Sequence, residues 1–364
     1  MAGNTFGKQF RITTWGESHG KALGVVVDGV PAGLPLSEVE IQSFLDRRKP
    51  GGSRFSTPRK EADEVQILSG VFEGRSTGTP ISLLIPNTTQ RSSDYSEIAS
   101  YYRPGHADYT FDQKYGFRDY RGGGRSSGRE TAGRVAAGAV ASLFLKQLGI
   151  RVCAYTKSIG PVACESFRQE EISRNPLCMP DADASLRAQD YLEACMKQQN
   201  SCGGVVECFA DGVPAGLGDP VFDKLDAALA GAVMSIGAVK AVEIGDGIAV
   251  SQAKGSENND PFHMCGGRVE KETNHAGGIL GGISDGSRIL LRAHIKPTPS
   301  IFSEQQTVTR DGENITIRIK GRHDPVIVPR AVVVVEAMTS LVLADALLSN
   351  MTARLDRIRD FYGV

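Results

Sequence analysis

The stretch Asp28-Gly29-Val30-Pro31-Ala32-Gly33-Leu34 recurs letter for letter as Asp211-Gly212-Val213-Pro214-Ala215-Gly216-Leu217. Each copy follows an apolar run of strand character, Leu23–Val27 and Val205–Ala210, and each precedes a helix-start signal. After the first copy, Ser37 and Glu40 have the spacing of a capping box, and Leu36 can staple onto Ile41. After the second, Asp219 is expected to cap and Pro220 to open the helix, with Phe222, Leu225, Leu229 and Val233 on one buried face. A second pair follows in the same order: Gly70-Val-Phe-Glu-Gly-x-Ser-x-Gly-x-x-Ile81 matches Gly278-Ile-Leu-Gly-Gly-x-Ser-x-Gly-x-x-Ile289. A third, weaker pair sets Gly124-Arg125 against Gly321-Arg322, each ahead of a long apolar segment, although Val332–Val335 taken alone reads as a strand. Three pairs in one order point to duplication of a strand–helix–strand unit. The expectation is a single domain over 1–364 made of two related halves, about 1–150 and 203–350, with helices packed against sheets. Residues 161–184 and 252–274 read as insertions or exposed loops.

Composition narrows the class. Apolar residues make up 40% and charged residues 23% of 364, which suits a chain that buries a large core. The net charge of −1 gives no basic excess for nucleic acid. Seven cysteines, odd in number and without a CxxC pair, fit reduced thiols in a reducing compartment. Neither a signal-like N-terminus nor a run of about 18 apolar residues is evident, so the expectation is a cytoplasmic enzyme without a membrane partner. The 42 glycines are well above the usual share of about 7% and call for tight loops near backbone or ligand.

Familiar catalytic motifs are missing: no phosphate-binding GxxxxGK, no HExxH, and no metal-ligand spacing among the histidines and cysteines. What stands out is Tyr120-Arg-Gly-Gly-Gly-Arg-Ser-Ser-Gly-Arg-Glu130, with three arginines and four glycines in positions 121–129. Ser126 or Ser127 is placed to cap the helix that follows, so arginines and free amides meet at a helix N-terminus, a setting for phosphate or carboxylate. A second basic loop, Asp46-Arg-Arg-Lys-Pro-Gly-Gly-Ser-Arg54, leaves the first helix, and taken alone such a loop is more often a solvated surface. Two guanidiniums about 6 Å apart at an effective dielectric near 20 repel by roughly 3 kcal/mol, so convergence of these arginines would call for a bound anion. His19 in Gly16-Glu-Ser-His-Gly20 and His106 in Arg103-Pro-Gly-His-Ala-Asp108 sit in glycine-flanked turns, where the imidazole suits proton transfer near neutral pH. His263 and His294 have no special context.

Together these segments resemble the chorismate synthase family. The resemblance rests on Gly16–Gly20 through Pro31, on Gly124-Arg-Ser-Ser-Gly-Arg-Glu-Thr131, and on Arg322-His-Asp-Pro325 through Glu336-Ala-Met338. Arg103–Asp108, Asn274–Gly282 and Lys296-Pro-Thr-Pro-Ser300 support it, and 161–202 and 255–272 are the least family-like stretches. It implies an α+β fold, an internally duplicated β-α-β sandwich with helices between two antiparallel sheets, assembled as a homotetramer. It implies a 1,4-elimination that turns 5-enolpyruvylshikimate 3-phosphate into chorismate and phosphate, the last common step of the shikimate pathway toward aromatic amino acids. Reduced FMN is required in that family, and NADPH is a possible flavin reductant. Carried over by motif, Arg48, Arg54, Arg103, Arg129 and Arg322 would hold the anionic substrate, arginine being suited to bidentate contacts. Arg125, Ser126, Ser127, Gly237, Ala238, Gly281, Lys296, Pro297, Thr298, Pro299, Ser300 and Arg322 would contact FMN. His106 would protonate the leaving phosphate, His19 would steady the reduced flavin, and Asp324 would assist removal of the ring proton. A flavin reductase using NADPH, and a non-catalytic phosphometabolite-binding protein, are the alternative readings.

Overall fold

The computed structural model describes residues 3–51, 54–57, 61–88, 97–319 and 324–364. Its first sheet holds, in spatial order, Thr5–Phe6, Arg11–Gly16, Ala22–Asp28, Ile81–Pro86 and Gln66–Ile67, every neighbouring pair antiparallel. The second holds Val239–Ile244, Ile289–Ile295, Gly204–Asp211, Arg151–Ile159 and Val162–Ala163, again antiparallel throughout. Alternation decides which face is inward: Ile81, Leu83 and Ile85 are fully buried while Ser82 and Leu84 are less so.

Between the sheets lie the helices Glu38–Arg48, Thr131–Gln147, Leu225–Met234 and Val328–Asn350. The two long ones cross at small residues. A side chain at Gly138 would come within 2.3 Å of the Ala337 Cβ, and one at Gly133 within 3.3 Å of the Gly24 carbonyl on the first sheet. Glycine at these positions lets helix approach helix, and helix approach sheet, closely enough to join both halves into one core. The Val328–Asn350 helix is long and apolar enough to cross a membrane, yet 72% of its most apolar window is buried inside this core. Its two acids are both engaged: Glu336 with Arg47 at 2.7 and 2.8 Å, and Asp345 with the Lys8, Gln9 and Phe10 amides.

The duplicated heptapeptides are built alike. Ser76 Oγ donates to the Pro31 carbonyl at 2.6 Å and accepts from the Leu34 amide at 2.9 Å. Ser284 does the same to Pro214 and Leu217, at 2.6 and 2.9 Å. Each serine sits on the short hairpin of the second repeated segment, Val71–Phe72/Arg75–Ser76 or Ile279–Leu280/Ile283–Ser284. The sandwich of helices between antiparallel sheets, internally duplicated, is therefore the observed fold.

Some local expectations need correction. Ser37 caps its helix and bonds Glu40, as the spacing indicates. Asp219 does not cap the matching helix, which begins at Leu225 after Lys224; Phe222 is 92% exposed, while Leu225, Leu229 and Val233 are buried. The Leu225 amide is taken by the Gly282 carbonyl at 2.8 Å, so docking on the hairpin delays the helix start. The valine run is helical because both its faces meet apolar neighbours, which removes the need for strand geometry. Residues 161–184 are exposed only in part: 165–170 face solvent, while Cys164, Leu177 and Met179 are buried. Within 252–274, an exposed hairpin forms from Phe262–Cys265 and Arg268–Lys271. All seven cysteines are free thiols.

Candidate active site

The glycine-rich loop folds as two short helical turns, Gly124–Ser126 and Gly128–Glu130, ahead of the Thr131–Gln147 helix. Ser127 caps the second turn, accepting from the Arg129 amide at 3.3 Å. Gly122, Gly123 and Gly124 all have positive φ, at 66°, 85° and 53°, where a side chain would be strained. The first of them lies directly on the His19 ring: a Cβ at Gly122 would meet His19 Cε1 at 2.1 Å. His19 is 8% exposed, and its Nδ1 lies 3.2 Å from Ser18 Oγ, which is 3.3 Å from the Gly122 carbonyl. A Cβ at Gly123 would lie 3.9 Å from Arg103 Nη2, so the Arg103 turn closes the other side of the loop.

His106 projects from that turn to Ser300, with Nε2 and Oγ 2.8 Å apart. Lys296 Nζ donates to the Gly105 carbonyl at 2.8 Å, and the Lys296 amide bonds the Ala238 carbonyl at 2.9 Å. Ser201 Oγ donates to the Thr298 carbonyl at 2.7 Å. The structure thus brings together His19, the 122–127 loop, Arg103, His106, Ala238 and the Lys296–Ser300 segment from widely separated parts of the chain.

Arg48, Arg103 and Arg129 are all paired with carboxylates, Arg48 and Arg129 sharing one. Arg103 is bidentate to Asp108, at 2.8 and 2.8 Å. Arg48 is 2% exposed and bonds Asp63 at 2.6 Å, the Gly128 carbonyl at 3.2 Å and Thr131 Oγ1 at 3.2 Å. Arg129 meets the other Asp63 oxygen at 2.6 Å and Glu61 at 3.3 Å. Burial pushes the Asp63 carboxyl up, but Arg48 and Arg129 outweigh it and hold it below the usual carboxylate range. Asp108 is likewise opposed by burial and held low by Arg103. Asp119 is held low by its bond from Arg121, with His19 adding a smaller pull. Asp324 accepts from the Thr57 amide at 2.7 Å and from Arg330 at 2.6 Å, and Arg330 in turn donates to the Arg48 carbonyl. Convergence of guanidiniums is therefore offset by the protein's own acids, not by the bound anion that charge repulsion alone implied.

Other residues of the expected set sit differently from a simple contact role. Arg125 is bound inward, to Gly16 O at 3.1 Å, Asn4 Oδ1 at 3.0 Å and Thr14 Oγ1 at 2.7 Å, so it anchors the loop to the first sheet. Arg54 reaches the Ala182–Lys197 helix, 2.7 Å from Glu193, with its side chain 64% exposed, and does not join the cluster. Gly281 is at an exposed hairpin turn, and Gly237 is exposed beside Ala238. Arg322 lies outside the described residues.

Sequence reasoning missed the residue that ties the parts together. Asn87, just after the Ile81–Pro86 strand, donates from Nδ2 to the Glu17 carbonyl at 3.0 Å and the Gly20 carbonyl at 2.8 Å. Its Oδ1 accepts from Arg129 Nε. One amide therefore couples the turn bearing His19 to the Arg48–Asp63–Arg129 network. Asp63 was missed too. Its one signal is a negative residue between basic loops, which spacing alone does not single out.

The family model described as chorismate synthase matches residues 10–348. A chorismate synthase from Lachnoclostridium phytofermentans is 65% identical over 365 aligned residues, covering 100% of both chains. One from Methanosarcina mazei is 57% identical, covering 96% of this chain and 97% of that one. A crystal structure of a chorismate synthase superposes with a TM-score of 0.77 at 32% identity, covering 98% of this chain and 97% of that chain. With the duplicated sandwich and the histidine–arginine cluster in view, these matches settle where the chain belongs: it is a member of the chorismate synthase family.

Proposed function

We propose that the loops around His19, Arg103, His106 and 122–127 are the active site for the family's reaction. As a family member the chain is a carbon–oxygen lyase acting on a phosphate: 5-enolpyruvylshikimate 3-phosphate gives chorismate and phosphate, the final common step of the shikimate pathway. The observation that carries the assignment of the site is the convergence of two histidine turns on one glycine-rich loop.

FMN fits the residues present. Arg125, Ser126 and Ser127 lie in and just after a short helical turn, the Ser126 and Ser127 amides closing it on the Gly123 and Gly124 carbonyls, and Lys296, Pro297, Thr298, Pro299 and Ser300 pack against the His106 turn, where a Cβ on Gly105 would lie 2.7 Å from Pro299 Cβ. Gly237, Ala238, Gly281 and Arg322 complete the set by motif. When bound, reduced FMN supplies the electron density that this elimination needs. NADPH is a possible reductant for it.

The chain's own residues have separate tasks. His106, its ring fixed by Ser300, delivers a proton to the departing phosphate as charge develops there. His19, buried under Gly122, would steady the reduced flavin. Asp324, oriented by Arg330 and the Thr57 amide, assists departure of the ring proton. Arg103 and Arg129, with Arg48 buttressing from behind, position the substrate's carboxylates and phosphate; Arg54 and Arg322 belong to the same set. Because Arg54 and Gly281 stand apart in one chain, a cytoplasmic homotetramer in which a neighbouring copy completes the site accords with their placement.

The test is anaerobic phosphate release from the enolpyruvyl substrate with reduced FMN, repeated with oxidised FMN plus NADPH. Release without stoichiometric consumption of reductant is expected. One NADPH oxidised per turnover would make the chain a flavin reductase, and no phosphate release would make it a binding protein.

A further inference from the structure

The exposed hairpin pairs Phe262 with Lys271, His263 with Glu270, Met264 with Val269 and Cys265 with Arg268. Alternate residues on a strand share a face, and so do directly opposed residues of an antiparallel pair. His263, Cys265, Arg268 and Glu270 therefore occupy one face, and Phe262, Met264 and Val269 the other. One ligand atom each from His263, Cys265 and Glu270 lie within 4.8 Å of one another, and all three residues are exposed. None of the three belongs to the loops assigned to the reaction above. The hairpin root is fixed separately, by Lys271 at 3.1 Å from Asp260 and 2.8 Å from Asp285, all with side chains under a tenth exposed. The tip is thus free to serve another purpose without being needed to hold the fold.

We propose that His263, Cys265 and Glu270 form a binding site for a zinc-class divalent cation. An imidazole nitrogen, a thiolate and a carboxylate oxygen are the donor types zinc takes, whereas calcium and magnesium favour oxygen alone. Bonds of about 2.0–2.3 Å in a tetrahedron set the ligand atoms roughly 3.3–3.8 Å apart. The donors must therefore close by about 1 Å, which rotation of exposed side chains supplies. Three protein ligands leave a fourth position for water or an outside ligand. Binding replaces the thiol proton of Cys265 with the metal and releases that proton to solvent, so affinity rises with pH. Arg268, opposite Cys265 on the same face, repels the cation. Removing its charge strengthens binding. The bound ion would tie the two strands together at the tip of a segment that runs directly into Asn274–Gly281.

The experiment is a cobalt(II) titration of the full-length chain under a phosphine reductant, with zinc as competitor. Saturation at one equivalent is expected, with a near-ultraviolet thiolate-to-cobalt band and the visible absorption of four-coordination, both removed by zinc. Cys265→Ser should abolish the band, His263→Ala and Glu270→Gln should weaken binding at least about tenfold, and Arg268→Ala should tighten it. Zinc should also slow amide exchange across 262–271. No band in the unaltered chain, a band that survives Cys265→Ser, or full affinity in His263→Ala overturns the site. None of these readouts depends on the lyase reaction, so their failure leaves the active-site assignment untouched.

Discussion

Replacing Asn87 by Asp separates two jobs that one amide performs. The carboxylate keeps an acceptor for Arg129 Nε and makes that bond charge-assisted, but it removes both donors to the Glu17 and Gly20 carbonyls. Two neutral hydrogen bonds at about 0.5–1.5 kcal/mol each amount to roughly 1–3 kcal/mol of anchoring lost from the His19 turn. A carboxylate oxygen then faces two carbonyl oxygens at positions where donors sat 3.0 and 2.8 Å away, which drives the turn off its place. Displacement of a catalytic group by about 1 Å costs on the order of 100-fold in rate. The expected result is a kcat lower by about 10- to 100-fold with KM changed by less than about threefold, because Arg129 stays held. Asn87→Ala loses both functions and should raise KM as well. Anaerobic stopped-flow phosphate release with reduced FMN measures both constants. An Asn87→Asp enzyme with unaltered kcat would refute the coupling, as would a change confined to KM.

Asp63→Asn leaves Arg48, at 2% exposure, without its counterion, and loss of one partner of a buried pair costs about 3–5 kcal/mol; urea unfolding should show it, and a loss below about 1 kcal/mol would contradict the pairing. The same carboxyl sets a pH dependence. Its folded pKa lies below the unfolded one, so its stabilisation is present above the ordinary carboxylate pKa and disappears as pH falls through the folded value; urea midpoints compared between the two proteins should converge in acid, and parallel curves would remove this role. His106→Ala should reduce turnover by about 10²–10⁴-fold while FMN affinity stays within about twofold, measured by flavin fluorescence; equal loss of both would make His106 structural. Gly138→Ala places a methyl 2.3 Å from the Ala337 Cβ and should destabilise by about 1–3 kcal/mol, checked by thermal melting; an unchanged melting temperature would mean the helices separate freely.

Much of the fold was legible because repetition survives in residues that have one geometric use. Ser76 and Ser284 occupy equivalent places in the repeated segments and make the same two hydrogen bonds, so the sequence identity reflects a shared clamp. Phe222 misled because a helical period was extended backward through Asp219–Lys224, and the competing bond from Leu225 to Gly282 is invisible without tertiary structure. Val332–Val335 misled in the opposite direction: β-branched residues favour strands on partly exposed surfaces, but burial on all sides cancels that preference. His263 read as ordinary because its partner Glu270 is close only once the hairpin register is known.

The arginines teach a more specific lesson about reading charge. Repulsion among guanidiniums was a sound argument that something negative must stand among them, and it left the source undetermined. Asp63 lies between Arg48 and Arg129, Asp108 against Arg103, and Asp324 against Arg330, so the protein supplies that charge from its own carboxylates, Asp63 coming from outside the quoted motifs. A site neutralised in this way holds its cations at fixed positions before any ligand arrives, which lowers the reorganisation needed when a multiply charged substrate binds. It also means that affinity for that substrate cannot be counted from the number of arginines. Arg48 and Arg129 already have partners for their Nε, Nη1 and Nη2 atoms, so they act through the field and framework that they share through Asp63.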